Sequence, residues 1–174
     1  MFRHESTMMT QPAPQAPVSW GRMTMFETPA CWHAFIDHPG EHRLLVRGNS
    51  FRNLAAEAGR AVGARMHGKA IPKPTEAWRS IEVQASGREA VLRKWVNELI
   101  ALARRERWAP VECEVLEVDD GGLRARLRGQ MLAQAPGLLK AAIRPGCHLA
   151  PDGSELVAEV ILKDSSASAR SARS

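Results

Sequence analysis

One stretch limits what this chain can become more than any other: Ser86 to Arg107, SGREAVLRKWVNELIALARRER. Val91, Leu92, Trp95, Val96, Leu99, Ile100, Leu102 and Ala103 recur at helical spacings and line one side, while Arg93, Lys94, Asn97, Glu98, Arg104 and Arg105 fill the other. Ser86 with Glu89 three residues on is a capping-box pattern, and it predicts that the helix starts there. An apolar arc this wide has to be covered, and the segment before it offers the cover. Trp78 to Ala85 alternates, with Ile81, Val83 and Ala85 on one face and Ser80, Glu82 and Gln84 on the other, as a strand with one buried face would.

At 174 residues the chain has room for one domain, and roughly two-thirds of the unfolded surface of such a chain leaves water on folding. Three cysteines at wide spacings, Cys31, Cys113 and Cys147, suit a reducing compartment better than a disulfide framework. The first twenty residues have no apolar core followed by a small-residue cleavage site, and no stretch approaches a membrane span. The expectation is a cytoplasmic protein with no membrane contact. A net charge of +5 allows attraction to acidic partners without specifying one.

Residues 1–28 carry Pro12, Pro14 and Pro17 among Gln, Ala and Ser and are expected to be disordered, as is the Ser/Ala/Arg tail of residues 165–174. The folded domain is then residues 29–164. It opens near Cys31, passes a polar turn, Asp37 to His42, and enters a short strand, Arg43 to Arg47. Ser50 is placed to cap a helix with the face Phe51, Leu54, Ala55, Ala58 and Val62. After a Pro-containing loop come the strand and long helix already described.

Beyond them, Val111 to Val118 and Leu123 to Arg128 flank Asp119-Asp120-Gly121-Gly122, which predicts a β-hairpin. Its second strand turns Leu123, Ala125 and Leu127 inward and Arg124, Arg126 and Arg128 outward. Those three arginines either form an RNA-contact stripe or are answered across the hairpin by Glu117, or by Glu112 and Glu114 in another register. Leu138 to Ile143 and Leu156 to Leu162 read as two more strands, separated by turns at Pro145-Gly146 and Pro151-Asp152-Gly153. Helices early and strands late give an α+β fold.

The same residues resemble the archease family, accessory proteins of the tRNA-splicing RNA ligase system. FIDHPGE, HRLLVRG and SFRNLAAEAGRAV are similar to that family's opening loop, strand and alanine-rich helix, and IEVQASGREAVLRKWVNELIAL is similar to its strand followed by a helix carrying Trp-Leu-Asn-Glu-Leu. LRARLRGQ, Lys140-Ala141-Ala142 and VAEVILKD resemble later family segments. The resemblance implies two related β-α-β-β halves, with two main helices packed on a mixed, largely antiparallel sheet. It also implies a role in promoting guanylylation and turnover of an RNA ligase, and a Ca²⁺ or Mg²⁺ site built from a loop Asp and an Asp ending the last strand.

Measured against that site the chain has diverged. Glu41 stands for the loop Asp, and Lys163 for the terminal one, with Asp164 next to it; His38 and Lys140 are the other loop and strand residues near the implied site. Either a bulge brings Asp164 into place, so that Glu41 and Asp164 hold a metal, or Lys163 replaces the cation and pairs with Glu41; the second is the expectation, with no cofactor bound. Zinc binding by Cys31 and His33 with Cys147 and His148 lacks the usual ligand spacing, Cys113 lies mid-strand without a base beside it, and no phosphate loop is present. The chain therefore reads as a non-enzymatic partner of an RNA-splicing ligase. The alternative is a protein- or RNA-binding module that has lost the metal site and touches its partner through Arg124, Arg126 and Arg128.

Overall fold

The computed structural model describes residues 31–163, apart from residues 69, 76 and 134–141, and gives the backbone alone for residues 142–145. The expected extension (residues 1–28), the tail (165–174), Lys140 and Asp164 lie outside the described residues, as does most of the strand expected from Leu138.

The elements in chain order are β1 (Cys31–His38), β2 (Glu41–Gly48), α1 (Phe51–His67), β3 (Arg79–Gln84), α2 (Arg88–Glu106), β4 (Trp108–Val118), β5 (Gly122–Met131), β6 (Ala142–Asp152) and β7 (Glu155–Lys163). They form two sheets, one ordered β1-β2-β7-β6 and one ordered β3-β5-β4, and all five strand pairings are antiparallel. The fold is α+β, two helices packed on antiparallel sheets. A contiguous β-α-β-β unit is seen in β3-α2-β4-β5; the other sheet draws two strands from the start of the chain and two from its end.

Each helix touches both sheets, α1 through β2 and β4, and α2 through β6 and β3. One main core results, with Leu44, Leu54, Trp95, Leu99, Leu127 and Leu162 among its fully buried side chains, and a small second cluster of Ala103, Ala109 and Leu132 lies beside it. The predicted faces hold: Phe51, Leu54, Ala55, Ala58 and Val62 of α1 are buried, and so are all eight apolar residues assigned to α2. α1 approaches β4 so closely that a Cβ on Gly63 would sit 2.0 Å from the Pro110 carbonyl oxygen. Small residues on this helix therefore set the spacing between the layers.

Two helix starts contrast. Ser50 Oγ accepts the Asn53 amide at 3.2 Å, the cap its position predicted. Ser86 caps nothing: α2 begins after Gly87, whose φ of 89° places it in a region that favours glycine, and no side-chain cap forms. The Glu89 carboxylate is used elsewhere, accepting the Leu149 amide of β6 at 2.8 Å and lying 3.3 Å from His148 Nδ1. A tie between helix and sheet has replaced the local capping box.

The β4–β5 hairpin is longer than its apolar alternation suggested, and Asp119 holds its turn, its Oδ1 accepting the Gly121 and Gly122 amides at 2.7 and 2.9 Å. Pro145-Gly146 is not a turn. It lies inside β6, an edge strand, where the register shifts between Ala142 and Cys147. An edge strand tolerates Pro because one side of its backbone needs no ladder partner, and a bulge absorbs the irregularity. A turn joins β6 to β7 one step later than expected: Pro151 and Asp152 are paired with Leu156 and Glu155, and Gly153, at φ 62°, makes the turn with Ser154.

Candidate functional site

The β1–β2 hairpin turns at Pro39-Gly40, with Gly40 at φ 79°. Residues equally far from a two-residue turn face each other, so His38 opposes Glu41 and Asp37 opposes His42. β2 then pairs with β7, which sets Glu41 opposite Lys163. The end of this sheet thus collects Asp37, His38, Glu41, His42 and Lys163, and α1 contributes Arg65 from above.

Asp37 Oδ1 accepts two hydrogen bonds, from His42 Nδ1 at 2.5 Å and from Arg65 Nη2 at 2.8 Å. Since Arg65 can only donate, its 3.3 Å approach to His42 Nδ1 is a contact between donors that share one acceptor; a proton on Nδ1 is what makes the short distance to the carboxylate attractive. The bond from His42, opposed in part by burial and aided by Arg65, holds the Asp37 carboxyl below its ordinary range. The Arg65 guanidinium also stacks 5.0 Å from the centre of the Phe35 ring. His42 is 8% exposed, so this knot lies at the boundary of the core.

Glu41 and Lys163 are brought side by side in register, but the pair expected between them is not among the ion pairs of the described residues. Glu41 Oε1 instead accepts from Arg43 Nε at 3.2 Å, and Arg43 Nη1 donates to Glu159 Oε1 at 3.0 Å. A guanidinium fork serves two carboxylates at once, which an ammonium at an exposed strand end does less well. His38 is exposed, and Lys163 is exposed at the end of β7.

The groups described at this end of the sheet, which do not include Asp164, offer a hard dication a poor ligand set. Such an ion needs several free carboxylate or carbonyl oxygens. Asp37 Oδ1 already serves two donors, Glu41 Oε1 serves Arg43, and Arg65 and Lys163 bring positive charge to the same end of the sheet. A unit positive charge at about 4 Å opposes another by about 4 kcal/mol in a partly solvated site, and twice that for a dication. Among the described residues no group of three or more His, Cys, Asp or Glu is placed to hold a metal ion. Calorimetric titration of the protein with CaCl₂ or MgCl₂ is expected to show no stoichiometric binding; a one-site isotherm would refute this.

A second cluster was not legible beforehand. Glu57 of α1, 8% exposed, accepts from His33 Nδ1 at 2.6 Å through Oε1 and from Arg60 Nε and Nη2 at 2.9 and 2.6 Å through Oε2. Arg60 Nη2 also reaches Cys31 Sγ at 3.3 Å. The hydrogen bond from His33, outweighing burial and joined by Arg60, pulls the Glu57 carboxyl down to about 2. Burial, then the nearby Glu57, raises the Cys31 thiol. The zinc set weighed from the sequence cannot assemble here: Cys31 and His33 lie on β1 and Cys147 and His148 on β6, opposite edges of one sheet and about 14 Å apart across three strand spacings. Burial pushes Cys113 up to about 12, so its thiol stays protonated.

The β5 arginines are answered in full. Arg124 pairs with Glu117, Arg126 Nε with Glu114 Oε2 at 2.5 Å, and Arg128 Nε with Glu112 Oε2 at 2.6 Å. Arg126 and Arg128 also stack on Trp78, at 4.5 and 4.8 Å from the ring centre. Glu112 and Glu114 differ in parity from Glu117, so the two registers considered from the sequence looked exclusive. A register shift between Val115 and Glu117 lets both hold at once.

The model of the archease protein family matches residues 33–162. Among solved structures, the chain is similar to the Methanobacterium thermoautotrophicum protein 1598, with a TM-score of 0.60 and 19% identity over 75% of this chain and 97% of the other. It is also similar to a Thermotoga maritima protein described as an archease and possible chaperone, with a TM-score of 0.48 and 19% identity over 74% and 94% of the two chains. No curated protein matches the sequence.

Proposed function

The chain belongs to the archease family, and from that premise we propose that it is a non-enzymatic accessory protein of tRNA splicing, docking on an RNA-splicing ligase in the cytoplasm and promoting its guanylylation and turnover. The observation that carries this reading is the extent of the family match, residues 33–162, which runs from β1 to β7 and takes in both helices. No helix among the described residues is long and apolar enough to cross a membrane. A thiol held protonated at Cys113 and carboxylates committed to arginines favour a role in binding over one in catalysis.

In this reading the protein acts without a resident dication, its hairpin end tied by Asp37, His42 and Arg65 instead. Docking through Arg124, Arg126 and Arg128 is not favoured, since glutamates already neutralise each of them. The test is a guanylylation assay on a purified RNA-splicing ligase with GTP. Adding this protein is expected to raise the rate of ligase guanylylation and the number of turnovers, with no label on the protein itself. An unchanged ligase rate, or guanylate on this chain, would refute the proposal.

A further inference from the structure

Most arginines among the described residues are spent on carboxylates, such as Arg60 on Glu57, Arg65 on Asp37, Arg47 on Asp152, and the β5 set on β4. The outward face of α2 is different. Arg93 and Arg104 lie three turns apart and nearly in line, a span of about 16 Å, with Asn97 beside that line and Lys94 about a quarter turn further round. Among the described residues no carboxylate pairs with Arg93, Lys94 or Arg104; Lys94 Nζ donates to the Gln84 carbonyl at 2.8 Å, Glu98 is taken by Arg105 at 3.0 Å, and Glu89, one turn before Arg93, accepts the Leu149 amide at 2.8 Å. At the N-terminal end of this face a cavity of about 480 Å³ opens, lined by Gln84, Ser86, Arg93, Lys94 and Asn97 together with Ala85 and Ala90.

We propose that this face of α2 docks the sugar–phosphate backbone of an RNA strand. Two cations at the groove and a third three turns away suit successive phosphates, which repeat a single negative charge along a chain. Gln84, Ser86 and Asn97 supply the amide and hydroxyl groups that hydrogen-bond phosphate oxygens and ribose 2′-hydroxyls. An acidic protein is the poorer occupant, because protein interfaces take their energy from buried aromatic and large apolar anchors and this groove offers two alanines. No aromatic ring lines the groove to stack a base, so binding follows charge and backbone, with little regard to sequence. The inference rests on these charges and stands apart from the ligase reading, because free RNA can be tested with no ligase present.

The experiment is fluorescence anisotropy of a short labelled oligouridylate titrated with the full chain over a range of salt. Affinity is expected to fall with salt with a log–log slope of about −2, as about three phosphate contacts on a single strand give. R93A/K94A/R104A, all helix-compatible changes checked by circular dichroism, is expected to lose roughly tenfold in affinity at low salt and most of that slope. R52A/K73A/R79A removes the same charge from exposed positions elsewhere and is expected to change affinity by about twofold or less. Equal losses in the two triple variants would assign binding to net charge and overturn the site. Salt-independent binding, or no binding, would overturn it as well, and equal affinity for the matching oligothymidylate DNA would overturn the 2′-hydroxyl contacts.

Discussion

Replacing Trp95 with alanine is expected to lower the free energy of unfolding by about 4 kcal/mol. Its side chain is fully buried at the centre of α2, and its indole Nε1 donates to the Ala55 carbonyl of α1 at 2.9 Å. The ring therefore joins two elements that lie far apart in sequence, and Gly59 of α1 keeps the space open: a Cβ there would come within 3.1 Å of Trp95 Cζ2. Truncation removes the largest apolar contact in the core and leaves a cavity that two helices and two sheets cannot easily close. Trp95→Phe keeps most of the packing and loses the bond across the helices, for an expected cost of about 1–2 kcal/mol. Urea denaturation followed by circular dichroism measures both. A cost below about 1.5 kcal/mol for the alanine variant would show that the helices are held together elsewhere.

That prediction starts from a residue whose burial was plain in the sequence, and the reason is physical. The apolar arc of α2, the Phe51 to Val62 face of α1 and the alternation of β5 are periodic over many residues, so each position repeats the evidence of its neighbours. Elements specified by one or two residues were less legible. The Ser86 and Glu89 pattern is a sound local cap, yet Gly87 and the demand of the Leu149 amide on β6 won over it. Pro145-Gly146 is a turn signal by composition, and only its place on a sheet edge turns it into a bulge. Edge or centre is a property of strand order, which no local window contains.

The candidate site follows the same division. Register alone brings Glu41 opposite Lys163 and Asp37 opposite His42; the sequence reads Asp37 to His42 as one polar turn, and a count outward from Pro39-Gly40 gives the second pair only once the turn is known to have two residues. What the count could not supply was competition between partners. Arg43, two residues along the same strand face, takes the Glu41 carboxylate away from Lys163. Arg65 arrives from a helix whose rotation over the sheet is set by the approach of Gly63 to Pro110. The paired β5 arginines and the unpaired α2 cations make the same point at the surface. A row of arginines in sequence is a charge only until its cross-strand neighbours are known.

Glu57 shows how much one such tie is worth. Its carboxyl is drawn from 4.5 down to about 2, first by the hydrogen bond from His33 and then by Arg60, against the opposing effect of burial. A folded value below the unfolded one stabilises the protein wherever the carboxylate is ionised in both states, here by about 3 kcal/mol at neutral pH. That contribution is complete above about 4.5, shrinks as the pH falls, and is gone once the folded carboxyl is protonated near 2. Glu57→Gln removes the charge, leaves Arg60 without its carboxylate, and loosens β1, the edge strand that His33 ties to α1. The variant is expected to be about 3 kcal/mol less stable than the parent at pH 7 and to lose less stability between pH 5 and pH 2, so that the two curves converge. Urea denaturation at a series of pH values measures that convergence. A gap that stays constant down to pH 2 would mean that the glutamine costs stability by shape and lost packing, with the ion cluster contributing nothing.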